Sequence, residues 1–387
     1  MGSVDEVLKL LNKQALIEVA SSLAGTPASQ LDNNSSPITG PGYIIFIISF
    51  RDREERWAAR IPLNQDDSFL EICIRPIQLA RKSPNVPAPR IHGYSDCGSR
   101  GCNPVGVGYM LLDWIEGSPM MPWDQSTPAA PYRQKVLDQI ADLILNMVLE
   151  CPLDTETLFY GVPNGTPKGT QVSTSVWLTE SVDRGIRRTL RRQDYSTAID
   201  YLIQRSMIPQ YVVAQHENSP WVFVHVDLHN DNIIIDEEYN LKGSIIDWDC
   251  NFAVPLQKAA TFPKLLENVP GAAPPGLPET HAYLDLPADK RYFLSILAEK
   301  ERKRTNGTSI TQLMETSSER NFFEMSHHRV PVHREFVSRF CPRTRGNVRA
   351  ALEEIERFLD INAMFKASDD AIVRTVQTLE ALLYQCE

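Results

Sequence analysis

Two carboxylates and a carboxamide stand close together in His225-Val226-Asp227-Leu228-His229-Asn230-Asp231-Asn232 and Ile245-Ile246-Asp247-Trp248-Asp249. Asp227 and Asn232 lie five residues apart, too close to serve separate sites. After Asn232, Ile233-Ile234-Ile235 reads as a short buried strand, Glu237-Glu238-Tyr239-Asn240 as a polar turn, and Gly243-Ser244-Ile245-Ile246 as a second apolar run. Two such runs around a short polar turn predict a β-hairpin. It would return Asp247, at the end of its second strand, to the side of Asn232, at the start of its first. Oxygen donors gathered at one sheet edge suit a hard cation such as magnesium. They also suit phosphoryl transfer, which asks a protein mainly for positioning and charge neutralisation. In that chemistry Asn232 and Asp247 hold the metal, and Asp227 accepts a proton from, or orients, the attacking hydroxyl.

Two other readings use part of this pattern. A buried hairpin with polar ends leaves the spacing of the three oxygen donors as coincidence. His225-x-Asp227 is also half of a two-histidine, one-carboxylate iron site, as in 2-oxoglutarate oxygenases, with His327, His328 or His333 as the far ligand. That arrangement gives Asn232 and the Ile-Asp-Trp-Asp run no role.

The elements that must position a nucleotide lie upstream. Tyr43 to Phe50 reads as a strand, and the charged turn Arg51 to Glu55 leads into Arg56-Trp57-Ala58-Ala59-Arg60-Ile61-Pro62. On a strand, Ala58 and Arg60 share a face. The small residue leaves room for an adenine ring, and the basic one reaches the α- and β-phosphates; the plainer alternative is an arginine on an exposed edge strand. Thr39-Gly40-Pro41-Gly42-Tyr43 precedes the strand. Gly40 and Gly42 permit close approach of phosphate, although Pro41 has no N–H to donate, and an ordinary hairpin turn explains the segment equally well.

The segment Phe223 to Asp249, FVHVDLHNDNIIIDEEYNLKGSIIDWD, resembles the catalytic and metal-binding motifs of the aminoglycoside phosphotransferase and choline kinase family, the fungal members above all. Phe252-Ala253-Val254-Pro255 through Pro263 and Trp-Ala-Ala-Arg-Ile-Pro at 57–62 resemble the same branch, with arginine at 60 where many members have lysine. The resemblance implies an α+β, two-lobed protein-kinase-like fold: a small β-rich nucleotide-binding lobe over residues 1–112 and a mostly helical lobe over 113–387 that carries the catalytic loop and acceptor site. It implies ATP and Mg2+ as cofactors, Asp227 as catalytic aspartate, Asn232 and Asp247 as metal ligands, and His225 and His229 as structural parts of the loop. Asp67 to Lys82 becomes the helix whose Glu71 pairs with Arg60, kinked or split at Pro76. Val86-Pro87-Ala88-Pro89-Arg90 matches the element that follows this helix in relatives. Tyr109 to Gly117 becomes the hinge between lobes, with Asp113 and Trp114 at the crossover against the adenine edge. The unusual glycine loop and Arg60 also allow a catalytically silent or repurposed relative that binds a nucleotide or a partner. No Ala-Pro-Glu element follows Asp247, which argues against a protein kinase.

Composition bounds the partners. The 387 residues suffice for two domains or lobes. With 39 basic against 49 acidic residues, the net charge of −10 argues against nucleic acid. It is compatible with a cationic small-molecule acceptor, though an acidic surface serves solubility as well. Seven scattered cysteines form no disulfide framework, and Cys97-x4-Cys102 reads as a loop. Sequons at Asn33, Asn34, Asn164 and Asn306 follow no visible secretory signal. Gly2 lacks a myristoylation context because Glu6 stands where Ser or Thr is required. The apolar run at Ile44 to Ile48 is too short to span a bilayer, so a cytoplasmic location without a membrane partner is expected. Nothing in the sequence specifies an oligomeric state. Val4, Val7, Leu8, Leu11 and Ile17 predict one amphipathic N-terminal helix. Helical periodicity also predicts helices over Pro131 to Cys151, Asn347 to Phe365 and Ala371 to Tyr384, whereas the basic run Arg184 to Arg192 reads as a solvated helix face.

Overall fold

Alternation in Tyr43–Phe50 buries every second side chain, and this strand is the spine of the N-terminal sheet. The computed structural model describes residues 3–32, 36–96, 103–120, 130–154, 157, 159, 161–191, 196–249, 251–267, 269–270 and 286–385. Gly2, Asn33, Asn34, Cys97, Cys102, Arg192, Cys250 and Cys386 lie outside the described residues.

Contacts group the chain into two units, the first comprising Met1–Pro122, Pro128–Leu158 and Phe223–Phe252. The first unit begins with α1 (Val4–Leu10) and α2 (Lys13–Ala24), then β1 (Ala28–Leu31), β2 (Ile38–Thr39), β3 (Tyr43–Phe50) and β4 (Arg53–Pro62). It continues with α3 (Asp67–Ala80), β5 (Ile91–Ser95), β6 (Tyr109–Asp113), β7 (Ser118–Pro119) and α4 (Ala130–Glu150). The strand order β1-β3-β4-β6-β5, with β2 on β3, makes one antiparallel sheet. Ile44, Phe46 and Ile48 of β3 pack with Ala59 and Ile61 of β4, with Val7, Leu16 and Ala20 of the first two helices and with Leu11 between them. Each such fully buried aliphatic or aromatic side chain stabilises the fold by about 1.5–3 kcal/mol. Ala58 and Arg60 alternate with these residues and occupy the opposite face.

Two helical expectations need correction. The N-terminal segment is two helices, because the Asn12 side chain accepts the Ala15 N–H at 3.1 Å and starts a new helix. Pro76 does not split α3, which runs from Asp67 to Ala80. Burial of Leu70, Cys73, Ile74 and Ile77 offsets the roughly 3 kcal/mol that an internal proline costs.

The last part of this unit follows β8 (Trp221–Phe223) and contains β9 (Ile233–Ile235) and β10 (Leu241–Ile245). These pair antiparallel, Leu241 opposite Ile235 and Ile245 opposite Ile233. Asp236 builds the turn, its Oδ1 accepting the Glu238 and Asn240 N–H groups at 2.9 and 2.8 Å. β7 adds to the far side of β9. Gly117 makes that approach possible: it has φ +134°, and a Cβ there would sit 2.7 Å from the Ile235 carbonyl oxygen.

The second unit is mostly helical. It holds α5 (Thr174–Leu190), α6 (Ala198–Tyr211), the short strand β11 (Ala253–Pro255), α7 (Leu256–Ala259), α8 (Pro287–Thr305), α9 (Ser309–Glu315), α10 (Ser317–Met325), α11 (Val330–Phe340), α12 (Arg345–Ile361) and α13 (Asp370–Gln385). Gly185 lets α5 close on α6, since a Cβ there would lie 2.4 Å from the Tyr201 ring. The basic run is not a solvated face. Arg184, Arg187 and Arg188 are half-buried between Gly185, Ile186 and Leu190, which are buried, because α5 packs on more than one side. Among the described residues no helix is long and apolar enough to cross a membrane.

Candidate active site

The β9–β10 register decides where the acidic groups meet. Ile246 N–H donates to the Asn232 carbonyl at 3.0 Å, so Asp247 follows directly on the residue bonded to Asn232. Asp247 has φ +62°, a left-handed conformation that aspartate tolerates better than most residues, and its side chain is about half exposed (46%). Asn232 is buried and ends a single 3-10 turn, Asn230–Asn232. Its Nδ2 donates to the Asp227 carbonyl at 2.9 Å, which turns its Oδ1 away from that bond and ties the two predicted site residues together. The His229 N–H also donates to the Asp227 carbonyl, at 2.9 Å. His229 Nδ1 accepts the Asp231 N–H at 3.2 Å, and its Nε2 lies 3.4 Å from Asp227 Oδ2 and 3.2 Å from Asn232 Nδ2.

Buried groups hold this loop from behind. His225 Nε2 donates to the Ile246 carbonyl at 3.0 Å, and its ring stands edge-on to Trp248 at 4.8 Å. Burial pushes the His225 ring down to about 4, so it stays neutral and structural near neutral pH. Asn251 Oδ1 accepts the Val226 N–H at 2.7 Å. Asn251 went unrecognised in the sequence, because nothing in its local pattern shows which backbone group it reaches.

Arg60 points into the same group of acids. Its Nη2 donates to Asp247 Oδ1 at 3.1 Å and Asp249 Oδ2 at 2.9 Å, while Nη1 reaches Asp249 Oδ1 at 3.2 Å. The guanidinium lies over the Tyr43 ring, 3.9 Å from its centroid. Burial works against its charge, but Asp249, Tyr43 and Asp247 outweigh burial and hold Arg60 protonated. Burial raises the Asp249 carboxyl above its ordinary range, and Arg60 opposes that rise. Asp249 therefore belongs to the site, and its only sequence signal is the second aspartate of Asp-Trp-Asp.

Glu71 does not pair with Arg60. It projects outward from α3 and pairs with Arg75 one turn on, at 3.5 Å with both side chains well exposed. The helix presents its apolar face inward, leaving Glu71 on the solvent side. Asp249→Ala should lower unfolding stability by about 2 kcal/mol, the worth of a hydrogen bond to a buried charge. Glu71→Ala should cost less than about 0.5 kcal/mol. Equal costs in chemical denaturation would return Glu71 to the partner role.

The remaining predicted residues are more dispersed. Ala58 is buried, paired with Ile47 of β3 and Leu112 of β6. Gly40 and Gly42 form the β2–β3 hairpin turn, and a Cβ on either would meet nothing within 4 Å. Asp113 binds inward: Oδ1 faces His92 Nε2 at 2.7 Å and Oδ2 accepts the Arg90 N–H at 2.8 Å. Burial alone would raise its pKa, but these two hydrogen bonds hold it below the ordinary value. The N–H groups of Asp113 and Trp114 donate to the Arg90 and Arg56 carbonyls at 3.0 and 2.9 Å.

The iron alternative finds no support in the side chains. His225 is committed to Ile246 and Trp248, and His333 contacts Ser196 while stacking on Tyr201 at 4.4 Å. Among the described residues, the three-ligand group that forms is Glu55, His92 and Asp113, which includes none of the proposed iron ligands.

Comparison with known proteins identifies the family and the fold. The model of the phosphotransferase enzyme family (APH) matches residues 54–252, just over half of the 387-residue chain. A candidate aminoglycoside phosphotransferase from Ralstonia eutropha superimposes with a TM-score of 0.53 at 12% identity, over 97% of this chain and 98% of that one. A candidate fructosamine-3-kinase from Haemophilus somnus superimposes with a TM-score of 0.50 at 10% identity, over 97% of this chain and 99% of that one. At these identities the likeness establishes the fold, α+β and protein-kinase-like, with an antiparallel N-terminal sheet and a mostly helical remainder. A search of curated proteins finds no match. The matched segment contains Arg60, Asp227, Asn232, Asp247 and Asp249, and on that match the chain belongs to the phosphotransferase enzyme family.

Proposed function

We propose that the protein moves the γ-phosphate of ATP to a hydroxyl of a small molecule. The convergence of Asp247, Asn232 and Asp227 at the β9–β10 hairpin carries this reading. The hydroxyl oxygen attacks γ-phosphorus, the bond to the β-phosphate oxygen breaks, and the hydroxyl proton passes to an Asp227 carboxylate oxygen. ADP is the leaving product. His229 Nε2 stands 3.4 Å from that carboxylate.

The donor set fits magnesium. Asn232 turns Oδ1 away from its Nδ2 hydrogen bond, and Arg60 takes Oδ1 of Asp247, leaving the half-exposed carboxylate a second oxygen. Oxygen donors of this kind, completed by phosphates and water, are what Mg2+ prefers. When bound there, the ion would neutralise charge on the β- and γ-phosphates. Arg60, held by Asp249, supplies fixed positive charge beside the same carboxylate. The nucleotide-binding lobe, assigned to residues 1–112, then works with a catalytic loop from the 113–387 portion. Ala58, Gly40, Gly42, Asp113 and Trp114 remain candidates for lining the nucleotide.

A catalytically silent relative is the alternative, favoured by the commitment of Arg60 to Asp247 and Asp249. ADP release against a panel of hydroxylated metabolites distinguishes the two. Transfer requires magnesium-dependent ADP release that rises with one class of acceptor and vanishes in Asp247→Ala. ATP-dependent thermal stabilisation without any ADP release would establish the silent alternative.

A further inference from the structure

Arg184, Arg187 and Arg188 of α5 and Arg191 at its C-cap recur at spacings of three and four, which puts them along one side of the helix and its end. Together with Ser181 and His327 they line a cleft of about 340 Å³ in the helical unit. Among the described residues, its lining holds guanidinium, imidazole and hydroxyl groups and no carboxylate. Glu180 stands behind it, taking Arg187 through Nη2 at 2.6 Å and Nη1 at 3.3 Å and lying 3.8 Å from Arg184 Nε. Arg188 Nη2 donates to the His327 carbonyl at 3.0 Å, which fixes the arginine against the wall.

A second observation comes from the floor of the cleft. Ser181 is 2% exposed and His327 1% exposed, yet Ser181 Oγ and both ring nitrogens of His327 have no hydrogen-bond partner among the described residues. Native proteins rarely leave buried polar atoms unmatched, and those that are call for a ligand or ordered water. Burial first, then His328, His333, Arg184 and Arg188, hold His327 well below its ordinary pKa, so it meets a ligand as a neutral ring with one N–H to give. A cation would be repelled here. An oxyanion would accept from the guanidinium forks, the hydroxyl and the ring N–H together.

We propose that this cleft binds an oxyanion, a small molecule carrying a phosphate or a carboxylate, held by Arg184 and Arg188 with Ser181 and His327 completing the shell. The proposal involves the helical unit alone and is independent of the phosphoryl-transfer reading. Isothermal titration of the full chain with inorganic phosphate, and separately with succinate, in chloride buffer without nucleotide tests it. Saturable binding of one ligand per chain is expected, weakened at least about tenfold (roughly 1.4 kcal/mol) in Arg184→Gln and Arg188→Gln. Binding should persist in Arg60→Gln, which separates this cleft from the nucleotide site. Phosphate alone binding makes the ligand a phosphate ester; succinate alone makes it a carboxylate. Because Arg188 also holds the His327 backbone, ring ¹⁵N resonances of His327 in the unmodified protein provide a second measurement and should shift on ligand addition. No saturable binding of either probe, affinity unchanged in both arginine variants, or unmoved His327 resonances would each overturn the proposal.

Discussion

Asp227→Ala is expected to lower kcat for phosphoryl transfer by about 10²- to 10⁴-fold, the usual contribution of a positioned general base. Nucleotide affinity should stay within about threefold of the unmodified protein, since the carboxylate meets the acceptor hydroxyl in the proposed reaction. The substitution spares the local architecture. Two of the bonds that hold the loop, from Asn232 Nδ2 and the His229 N–H, end on the Asp227 backbone carbonyl, which alanine keeps. The side chain is 41% exposed, so its removal opens no core cavity. ADP release measures turnover, and a thermal-shift titration with ATP and magnesium measures binding in parallel. Turnover within about threefold of the unmodified protein would remove Asp227 from the chemistry. Lost nucleotide binding would instead make it a binding residue.

Arg205→Ala should destabilise the helical unit by about 3–5 kcal/mol, the cost of stranding buried charge. Arg205 on α6 donates from Nε to Asp183 Oδ1 on α5 at 2.8 Å, and from Nη1 to Glu354 Oε2 on α12. Asn362 Nδ2 gives Asp183 Oδ2 a second bond at 2.9 Å. All four residues are buried, Asp183 completely. Burial raises the Asp183 carboxyl above its ordinary range even with Arg205 beside it, so the pair already stands against a large desolvation cost. Without the guanidinium, two carboxylates face each other across three packed helices. Arg205→Lys keeps the charge but not the fork, and an intermediate loss is expected. Denaturant unfolding monitored on the helical transition is the measurement. A loss below about 1 kcal/mol for Arg205→Ala would show that the three helices hold together by apolar packing alone.

Local sequence carried much of the architecture. Alternation in Tyr43–Phe50, the Ile233–Ile235 run with its Asp236–Asn240 turn, and periodicity in α4, α12 and α13 depend on neighbours a few residues away, so each was legible without coordinates. So was the return of Asp247 to Asn232, because a hairpin's register follows from its turn. Less legible were boundaries set by competition between weak local effects. Asn12 caps a helix inside an unbroken apolar periodicity, and Pro76 is carried inside a helix whose buried face outweighs it.

The charge partnerships were a different matter. Arg60 and its two aspartates are separated by 187 and 189 residues, and no local pattern ranks Asp249 above Glu71 as partner. That choice was made when β4 and the β9–β10 hairpin came together and α3 turned Glu71 to solvent. The arginines of α5 are the same case: their spacing along the helix was evident, but whether water or a cleft faces them depended on what packed around α5. Residue type and periodicity thus determined which elements form and which atoms could do chemistry. Tertiary structure alone decided which charges meet, because electrostatic contact depends on distance in space, and separation along the chain does not set that distance.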